Sequence, residues 1–207
     1  MTAIGSKALY NYTGGSANTA VGYLAGYSAN SSADNLTAMG NQASFSNSSG
    51  ASNSSFGAAS LYNTTTGSNN SGFGSNSLQL NTTGSYNTGI GNFALYSNTT
   101  ANSNTAVGYQ AAYSNTTGSY NNAFGGSDGY YGSALYTNST GTANNAFGNG
   151  ALAKNNANSN SAFGHQTLNS NTSGGANSAF GYQALGNNTT ASNNTAVGYQ
   201  AGYSNTT

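Results

Sequence analysis

The side chains that could act as acids, bases or metal ligands are few and widely scattered. Charged residues make up 2% of the 207 residues, namely Lys7, Asp34, Asp128 and Lys154, and the one histidine is His165. An enzyme needs several such groups converging on one site. Cysteine is absent, which excludes disulfides and thiolate chemistry. We therefore predict that the protein is not an enzyme and has no catalytic residue, no cofactor and no metal site.

One short segment has a composition that suits ligand recognition. Residues 126–133 read GSDGYYGS, so Tyr130 and Tyr131 closely follow Asp128. Tyrosine rings offer an apolar face and a hydroxyl that forms hydrogen bonds, which suits stacking on sugar rings. We predict that Asp128, Tyr130 and Tyr131 form a candidate recognition loop for surface carbohydrate. A tolerated insertion without a role is an equally good interpretation.

The elements that must position these residues belong to a short repeat. A bulky apolar residue stands directly before a glycine at twelve regularly recurring places, and eight of the eleven intervals between these glycines are 17 residues. Such a period is typical of solenoids, in which each unit buries its apolar side only against its neighbours, and it argues against a disordered chain. The glycines are Gly5, Gly22, Gly40, Gly57, Gly74, Gly91, Gly108, Gly125, Gly148, Gly164, Gly181 and Gly198.

The repeat predicts an all-β fold, a parallel β-solenoid (β-roll or β-helix) of about twelve 17-residue coils. A helix is disfavoured because glycine, asparagine, serine and threonine are poor helix formers. We expect residues 1–207 to form a single repeat array, with a loop insertion at 126–133. That insertion falls in the one interval of 23 residues, between Gly125 and Gly148.

Stacking of the predicted coils would place the few titratable groups far apart in space. Asp34 and Asp128 lie about six coils apart, roughly 29 Å at the strand spacing, which is too far for the paired carboxylates of a glycosidase. His165 occupies a column that holds Tyr182 and Tyr199 in the following coils. We interpret it as a surface histidine of the repeat, without an acidic partner in its own or the adjoining coils.

Within one coil the residues before the glycine alternate. In the copy that begins at Asn104, Thr105 and Val107 would share one face of a strand and Ala106 would lie on the other. The small residues around the apolar position allow another backbone to approach closely. Because the position before the glycine is never polar, we predict that it forms an inward core ladder. The ladder residues are Ile4, Val21, Met39, Phe56, Phe73, Ile90, Val107, Phe124, Phe147, Phe163, Phe180 and Val197.

A second short apolar element follows each glycine, and we predict that it forms a second strand. It is seen at residues 8–10, 60–62, 94–96 and 134–136. The rest of each coil is a polar corner with turn chemistry. Buried asparagines stacked at these corners would hydrogen-bond from coil to coil, which explains their number without any ligand.

The composition also indicates the partners. Near-zero net charge removes the repulsion that keeps copies apart, and each coil has only two or three large apolar groups, so burial between chains is favoured. We expect a homotrimer, with a filament as the alternative. Without a basic patch, nucleic acid and anionic membrane surfaces are not expected as partners, and no apolar stretch predicts membrane insertion.

The N-terminus lacks the pattern of a signal peptide, so we expect export by another route, as in a virion, or a segment of a longer chain.

The repeated sequence TAVGYQA, at residues 105–111 and 195–201, resembles the head repeats of YadA-like trimeric autotransporter adhesins and repeats of phage tail-fibre proteins. The resemblance covers nearly the whole chain. It implies a left-handed parallel β-roll of three chains, exposed on a cell or virion, with an adhesive or spacer function. Adhesin heads have a shorter repeat, and where they usually carry a second bulky aliphatic residue this chain has Thr19, Thr88 or Ser161.

We therefore expect a structural fibre or adhesin shaft, extracellular on a cell or virion surface, built by self-association of a β-solenoid. The alternative functions are a carbohydrate-binding module, an ice-binding module or a glycan-coated extracellular filament. Ice binding is disfavoured because paired threonines such as Thr116 and Thr117 point in opposite directions. Asn-Thr-Thr sites that match the N-glycosylation pattern include Asn63, Asn81, Asn98, Asn115 and Asn188.

Overall fold

The computed structural model describes residues 1–30 and 32–206, which form short parallel strands joined by turns and contain no helix. The chain divides into two compact units, 1–103 and 104–207. The prediction of a parallel β-solenoid is confirmed, because both units are built from the same coil. Their continuity as one array over residues 1–207 stays a prediction. The strands are β1 Thr2–Ile4, β2 Thr19–Val21, β3 Thr37–Met39, β4 Ser54–Phe56, β5 Ser71–Phe73, β6 Thr88–Ile90, β7 Thr105–Val107, β8 Asn122–Phe124, β9 Asn145–Phe147, β10 Ser161–Phe163, β11 Ser178–Phe180 and β12 Thr195–Val197.

Each strand pairs in parallel with the next strand of its own unit. In the first unit β1 to β6 follow one another, and in the second unit β7 to β12 do the same. Equivalent residues face each other, as with Ser161 and Ser178. The pairing of Thr19 with Thr37 shows that an irregular interval is absorbed outside the strands. The repeat therefore places identical positions at matching heights.

The predicted second strand is wrong, and the residues 8–10, 60–62, 94–96 and 134–136 form turns instead. The leucine at the centre of each has a left-handed backbone, with φ of 50° at Leu9 and 52° at the other three. This conformation costs an ordinary residue roughly 1–2 kcal/mol. The cost is offset because the amide of Leu61 donates to the carbonyl of Ser77 in the next coil at 3.0 Å, and because its side chain is fully buried.

The core lies on the other side of the strands from the one we predicted. The middle residue of every strand after β1 is small and buried, as with Ala38 and Ala106, and it packs inside with the leucines that follow the glycines. The interior of a coil is therefore narrow. A bulky residue before the glycine shares its face with the first strand residue, so it points outward.

The predicted inward core ladder is consequently an outer ladder, and that prediction is wrong. None of its members is buried, and the exposed fraction is 40% at Phe73 and 41% at Phe180. The rings do stack from coil to coil, at 4.8 Å between Phe56 and Phe73. The outer ladder comprises Ile4, Val21, Met39, Phe56, Phe73, Ile90, Val107, Phe124, Phe147, Phe163, Phe180 and Val197.

The repeat glycines allow the coils to stack closely. Gly74 has φ of 129°, and a Cβ atom built on it would lie 2.6 Å from the carbonyl carbon of Gly91. Any larger residue would therefore meet both a strained backbone and a neighbouring main chain. The close approach inferred from the small residues takes place between successive coils of one chain.

Two columns of asparagines, most of them buried, close most of the coils, and they confirm the predicted ladders. In the first, which we call the strand column, the asparagine stands four residues before the glycine. Asn70 Oδ1 accepts from the amide of Asn87 at 3.0 Å, and its Nδ2 donates to the carbonyl of Gly84 at 2.8 Å. In the second, the corner column, it stands seven residues after the glycine, and Asn98 Nδ2 donates to Asn81 Oδ1 at 2.8 Å. These bonds replace the hydrogen bonds to water that an amide side chain loses when it is buried.

Candidate functional site

The loop at residues 126–133 is inserted into a coil that otherwise stays regular. The amide of Ala134 donates to the carbonyl of Gly125 at 3.1 Å. In the next coil the same bond joins Ala151 to Gly148, which are three residues apart. The two ends of the loop therefore meet as if it were absent, and the loop projects without disturbing the stacked backbone.

Asp128 organises this loop from within. Its Oδ1 accepts hydrogen bonds from the amide of Tyr130 at 2.9 Å and from the amide of Tyr131 at 3.0 Å. These bonds hold the pKa of Asp128 below its ordinary value of 3.8, and the bond from Tyr131 contributes more than the bond from Tyr130. The charge of His165 lowers the pKa as well. The carboxylate is thus a fixed anion that holds the turn.

The two loop tyrosines have different surroundings. Tyr130 is 85% exposed and tilts against Tyr131, with ring centroids 5.2 Å apart. Tyr131 is 42% exposed and packs edge-on against His165 at 5.9 Å. His165 in turn stacks on Tyr182 at 5.5 Å, as expected for its column. The loop therefore reaches across the intervening coil, and it gives His165 an acidic neighbour that its position in the repeat did not indicate.

A groove beside Tyr131 arises from a gap in a second aromatic column. Five residues after the glycine, most coils carry an aromatic ring. Tyr113 is one of these, and it stacks at 5.5 Å on Tyr136, which holds the equivalent place after the inserted loop. The next three coils have Ala153, Asn169 and Gly186 at this position. The missing rings leave a cavity of about 190 Å³. Its walls include Tyr131, Gln166, Asn169, Gln183, Gly186 and Tyr203.

Amide side chains and a glycine shape this groove. Gln183 Nε2 donates to Gln166 Oε1 at 2.5 Å, and Gln200 Nε2 donates to Gln183 Oε1 at 2.8 Å, so the glutamines form a bonded row. A Cβ atom on Gly186 would lie 2.8 Å from a ring carbon of Tyr203. Gly186 therefore lets that ring lie against the coil and form one wall of the groove.

Sequence reasoning found the loop but missed the groove. Asp128, Tyr130 and Tyr131 do lie together, yet only Tyr131 lines the cavity. The signal that could have revealed it is the loss of the aromatic residue at Ala153, Asn169 and Gly186 in three successive coils. That signal becomes visible only when the position five residues after the glycine is followed as a column.

The remaining candidate residues have structural partners. Asp34 Oδ1 accepts from the amide of Ser16 at 2.5 Å and from its hydroxyl at 3.0 Å, so this carboxylate closes a corner. Threonine hydroxyls at the corners donate to the carbonyl of the next coil, as from Thr65 to Thr82 at 3.2 Å. A hydroxyl bonded in this way cannot donate to an ice lattice, and this further disfavours ice binding by the corner threonines.

The five asparagines considered above as glycosylation sites differ in burial. Asn63 is partly exposed, whereas the other four asparagines have no accessible surface and belong to the corner column. A glycan on any of these four would have to replace the amide bonds that hold the coil together. The four buried sites are Asn81, Asn98, Asn115 and Asn188.

Within residues 1–30 and 32–206 no three His, Asp or Glu side chains come together as metal ligands. No helix in the described part of the chain is long and apolar enough to cross a membrane. Comparison with known proteins finds no matching family model, no matching curated protein and no matching solved structure.

Proposed function

We propose that this β-solenoid repeat protein is a non-enzymatic structural fibre or adhesin shaft of a cell or virion surface, assembled as a homotrimer through the outer ladder. The observation that carries the proposal is the exposure of that ladder. In the first unit Met39, Phe73 and Ile90 are 39%, 40% and 42% exposed, in line on one face. A contiguous apolar row on a soluble protein commonly marks an interaction surface.

The spacing of the outer ladder suits contact with identical copies. Ring centroids are 4.7 Å apart between Phe147 and Phe163 and 4.9 Å apart between Phe163 and Phe180. Two copies therefore carry ridges of equal period that can pack side by side. Burying each large side chain stabilises an assembly by about 1.5–3 kcal/mol before the entropy of association is subtracted.

The charge of the chain permits this association. The formal net charge is +0, with two basic and two acidic residues. Association should therefore depend little on salt, because no charged pairs need to be screened. A fibre held by ion pairs would instead dissociate as salt increases.

The test measures the mass of the full chain in solution. We expect a mass of three chains that stays unchanged between low and high salt, and a Phe73→Asp, Phe180→Asp variant that is a single chain with an unchanged circular dichroism spectrum. The control variant is Tyr86→Asp, Tyr120→Asp, which places charges at residues 64% and 66% exposed in another column, and it should remain a trimer. A mass that grows with concentration would indicate the filament instead. A wild-type chain that is monomeric at 100 µM, or a ladder variant that still assembles, would overturn the proposal.

A further inference from the structure

The geometry points to a binding site for one neutral sugar ring in the groove between Tyr131 and Tyr203. This inference goes beyond the proposed self-association and does not depend on it. The groove lies in the second unit, beside the inserted loop, and no structural role of the coil requires it. Most other coils fill the same place with an aromatic ring, as at Tyr113 and Tyr136.

The two ends of the groove are aromatic. A Cβ atom on Gly150 would lie 3.2 Å from Tyr131 Cβ, and one on Gly186 would lie 2.8 Å from the ring of Tyr203. Gly150 and Gly186 lie in coils two apart, so the two ends of the groove differ in height along the stack by about 10 Å at the strand spacing. A tyrosine at each end can cover an apolar face of a ligand that lies in the groove.

The floor of the groove offers uncharged donors and acceptors. Gln166 is only 4% exposed and its Oε1 accepts from Gln183, so the glutamine row is held in place. Asn169 is also fixed, because its Nδ2 donates to the carbonyl of Gly150 at 2.8 Å. Amides pair well with hydroxyl groups, each of which both donates and accepts.

The charge and size of the groove narrow the class of ligand. None of the residues that line it is charged, so it offers no partner for a phosphate, a carboxylate or an ammonium group. Its volume of about 190 Å³ is below the range of roughly 300–1,000 Å³ that is usual for drug-sized ligands. A single pyranose ring with neutral substituents fits both limits, whereas a buried oligosaccharide does not.

The inserted loop supplies one wall and holds it in position. Tyr131 is fixed from one side by the bond of its amide to Asp128 and from the other by the edge-on contact with His165 at 5.9 Å. Asp128 and His165 are therefore positioning residues for the tyrosine. Tyr130 points elsewhere and is absent from the groove, although it precedes Tyr131 directly.

The test uses saturation-transfer difference NMR on the full chain with the methyl glycosides of glucose, galactose, mannose and N-acetylglucosamine. We expect at least one to bind with a Kd on the order of 1 mM, as is usual for a ligand of about a dozen heavy atoms. Asn169→Tyr should abolish binding, because it restores the aromatic column and fills the groove. Tyr131→Ala should weaken binding at least tenfold, and Tyr130→Ala should leave it unchanged.

Two results would overturn this inference. One is the absence of binding by any of the four glycosides at 50 mM to the wild-type chain. The other is binding that survives Asn169→Tyr with a native circular dichroism spectrum but is lost in Tyr130→Ala, since this would place recognition on the exposed loop. If Asn169→Tyr does not fold, the contrast between Tyr131→Ala and Tyr130→Ala decides between groove and loop.

Discussion

The two asparagine columns are complete in residues 104–207 and interrupted in residues 1–103. In the second unit every coil contributes an asparagine to each column. In the first unit Met1 and Leu36 replace members of the strand column, and Tyr12, Ala29 and Thr64 replace members of the corner column. The complete columns comprise Asn104, Asn121, Asn144, Asn160, Asn177 and Asn194, and Asn115, Asn138, Asn155, Asn171, Asn188 and Asn205.

Apolar packing takes over where the columns of the first unit are interrupted. Leu36 and Ala29 are fully buried there, in a cluster with Leu9, Ala25 and other small residues. A coil can therefore be closed either by amides or by apolar side chains. In an unbroken corner column an amide also depends on the amide of a neighbouring coil, as Asn98 Nδ2 does on Asn81 Oδ1. A single foreign residue in an asparagine column leaves its neighbours with weaker partners.

The largest effect is expected from breaking the complete corner column. Asn138 Nδ2 donates to Asn115 Oδ1 at 3.2 Å and to the carbonyl of Gly141 at 2.9 Å, and Asn138 Oδ1 accepts from Asn155 at 3.2 Å. Asn138→Ala removes all three bonds and leaves a small cavity. We expect the free energy of unfolding to fall by about 3 kcal/mol, measured by urea denaturation.

The matched substitution in the interrupted column should cost less. Asn47 bonds only within its own turn, to the amide and carbonyl of Gly50, both at 2.9 Å. Asn47→Ala should therefore lower the free energy of unfolding by about 1.5 kcal/mol. Equal losses in the two variants would show that the bonds between coils contribute nothing beyond the local turn.

The contrast between the units also shows which features could be predicted from sequence. The period of 17 residues was enough to predict the parallel coils and the buried asparagine ladders, since identical residues at equal heights must contact one another. The inward direction of Phe73 was predicted wrongly, because the period does not reveal how narrow the coil interior is. The turn at Leu61 was missed because leucine rarely adopts a positive φ. Only its burial and its bond to Ser77 in the next coil make that conformation tolerable.

Only part of the candidate site could be predicted from the sequence, because only part of it rests on residues that are close together in the chain. The loop was visible as an insertion with two tyrosines, and its turn chemistry at Asp128 is local in sequence. The groove depends on side chains that are absent, at Ala153, Asn169 and Gly186, and on Tyr203 from a later coil. A cavity made by small residues leaves no motif in the sequence.

The repair of the interrupted column should have a smaller effect of opposite sign. Thr64 stands between Asn47 and Asn81, and Asn81 Nδ2 reaches the Thr64 hydroxyl only at 3.4 Å. Thr64→Asn should allow amide bonds from this position to both Asn47 and Asn81, and the new side chain is similar in volume to the threonine that it replaces. We expect the free energy of unfolding to rise by about 1 kcal/mol, with slower amide exchange at Gly67.

A neighbouring threonine provides the control for this repair. Thr66 is exposed in the same turn, and Thr66→Asn should change the free energy of unfolding by less than about 0.5 kcal/mol. If the two variants gain equally, the gain comes from turn propensity. In that case the continuity of the corner column would not be what distinguishes the two units.

The smallest effect concerns pH, to which the uncharged asparagine columns should not respond. The loop of the second unit differs, because its turn is held by a carboxylate whose pKa the amides of Tyr131 and Tyr130 lower. A lowered pKa in the folded state means that the stabilisation is fully present above the ordinary value of 3.8 and is lost as the pH falls through the lower folded value. We expect the amide proton shifts of Tyr130 and Tyr131 to move together between pH 5 and pH 2, with a midpoint below 3.8.

Two controls accompany this titration. The chemical shift of the Gly141 amide, in the turn of the corner column, should stay constant over the same pH range. In Asp128→Asn both tyrosine amides should lose their pH dependence, because the amide oxygen that replaces the carboxylate does not titrate. A midpoint at the ordinary value would mean that the carboxylate does not hold this turn, and the loop would then lack the fixed geometry that places Tyr131 beside the groove.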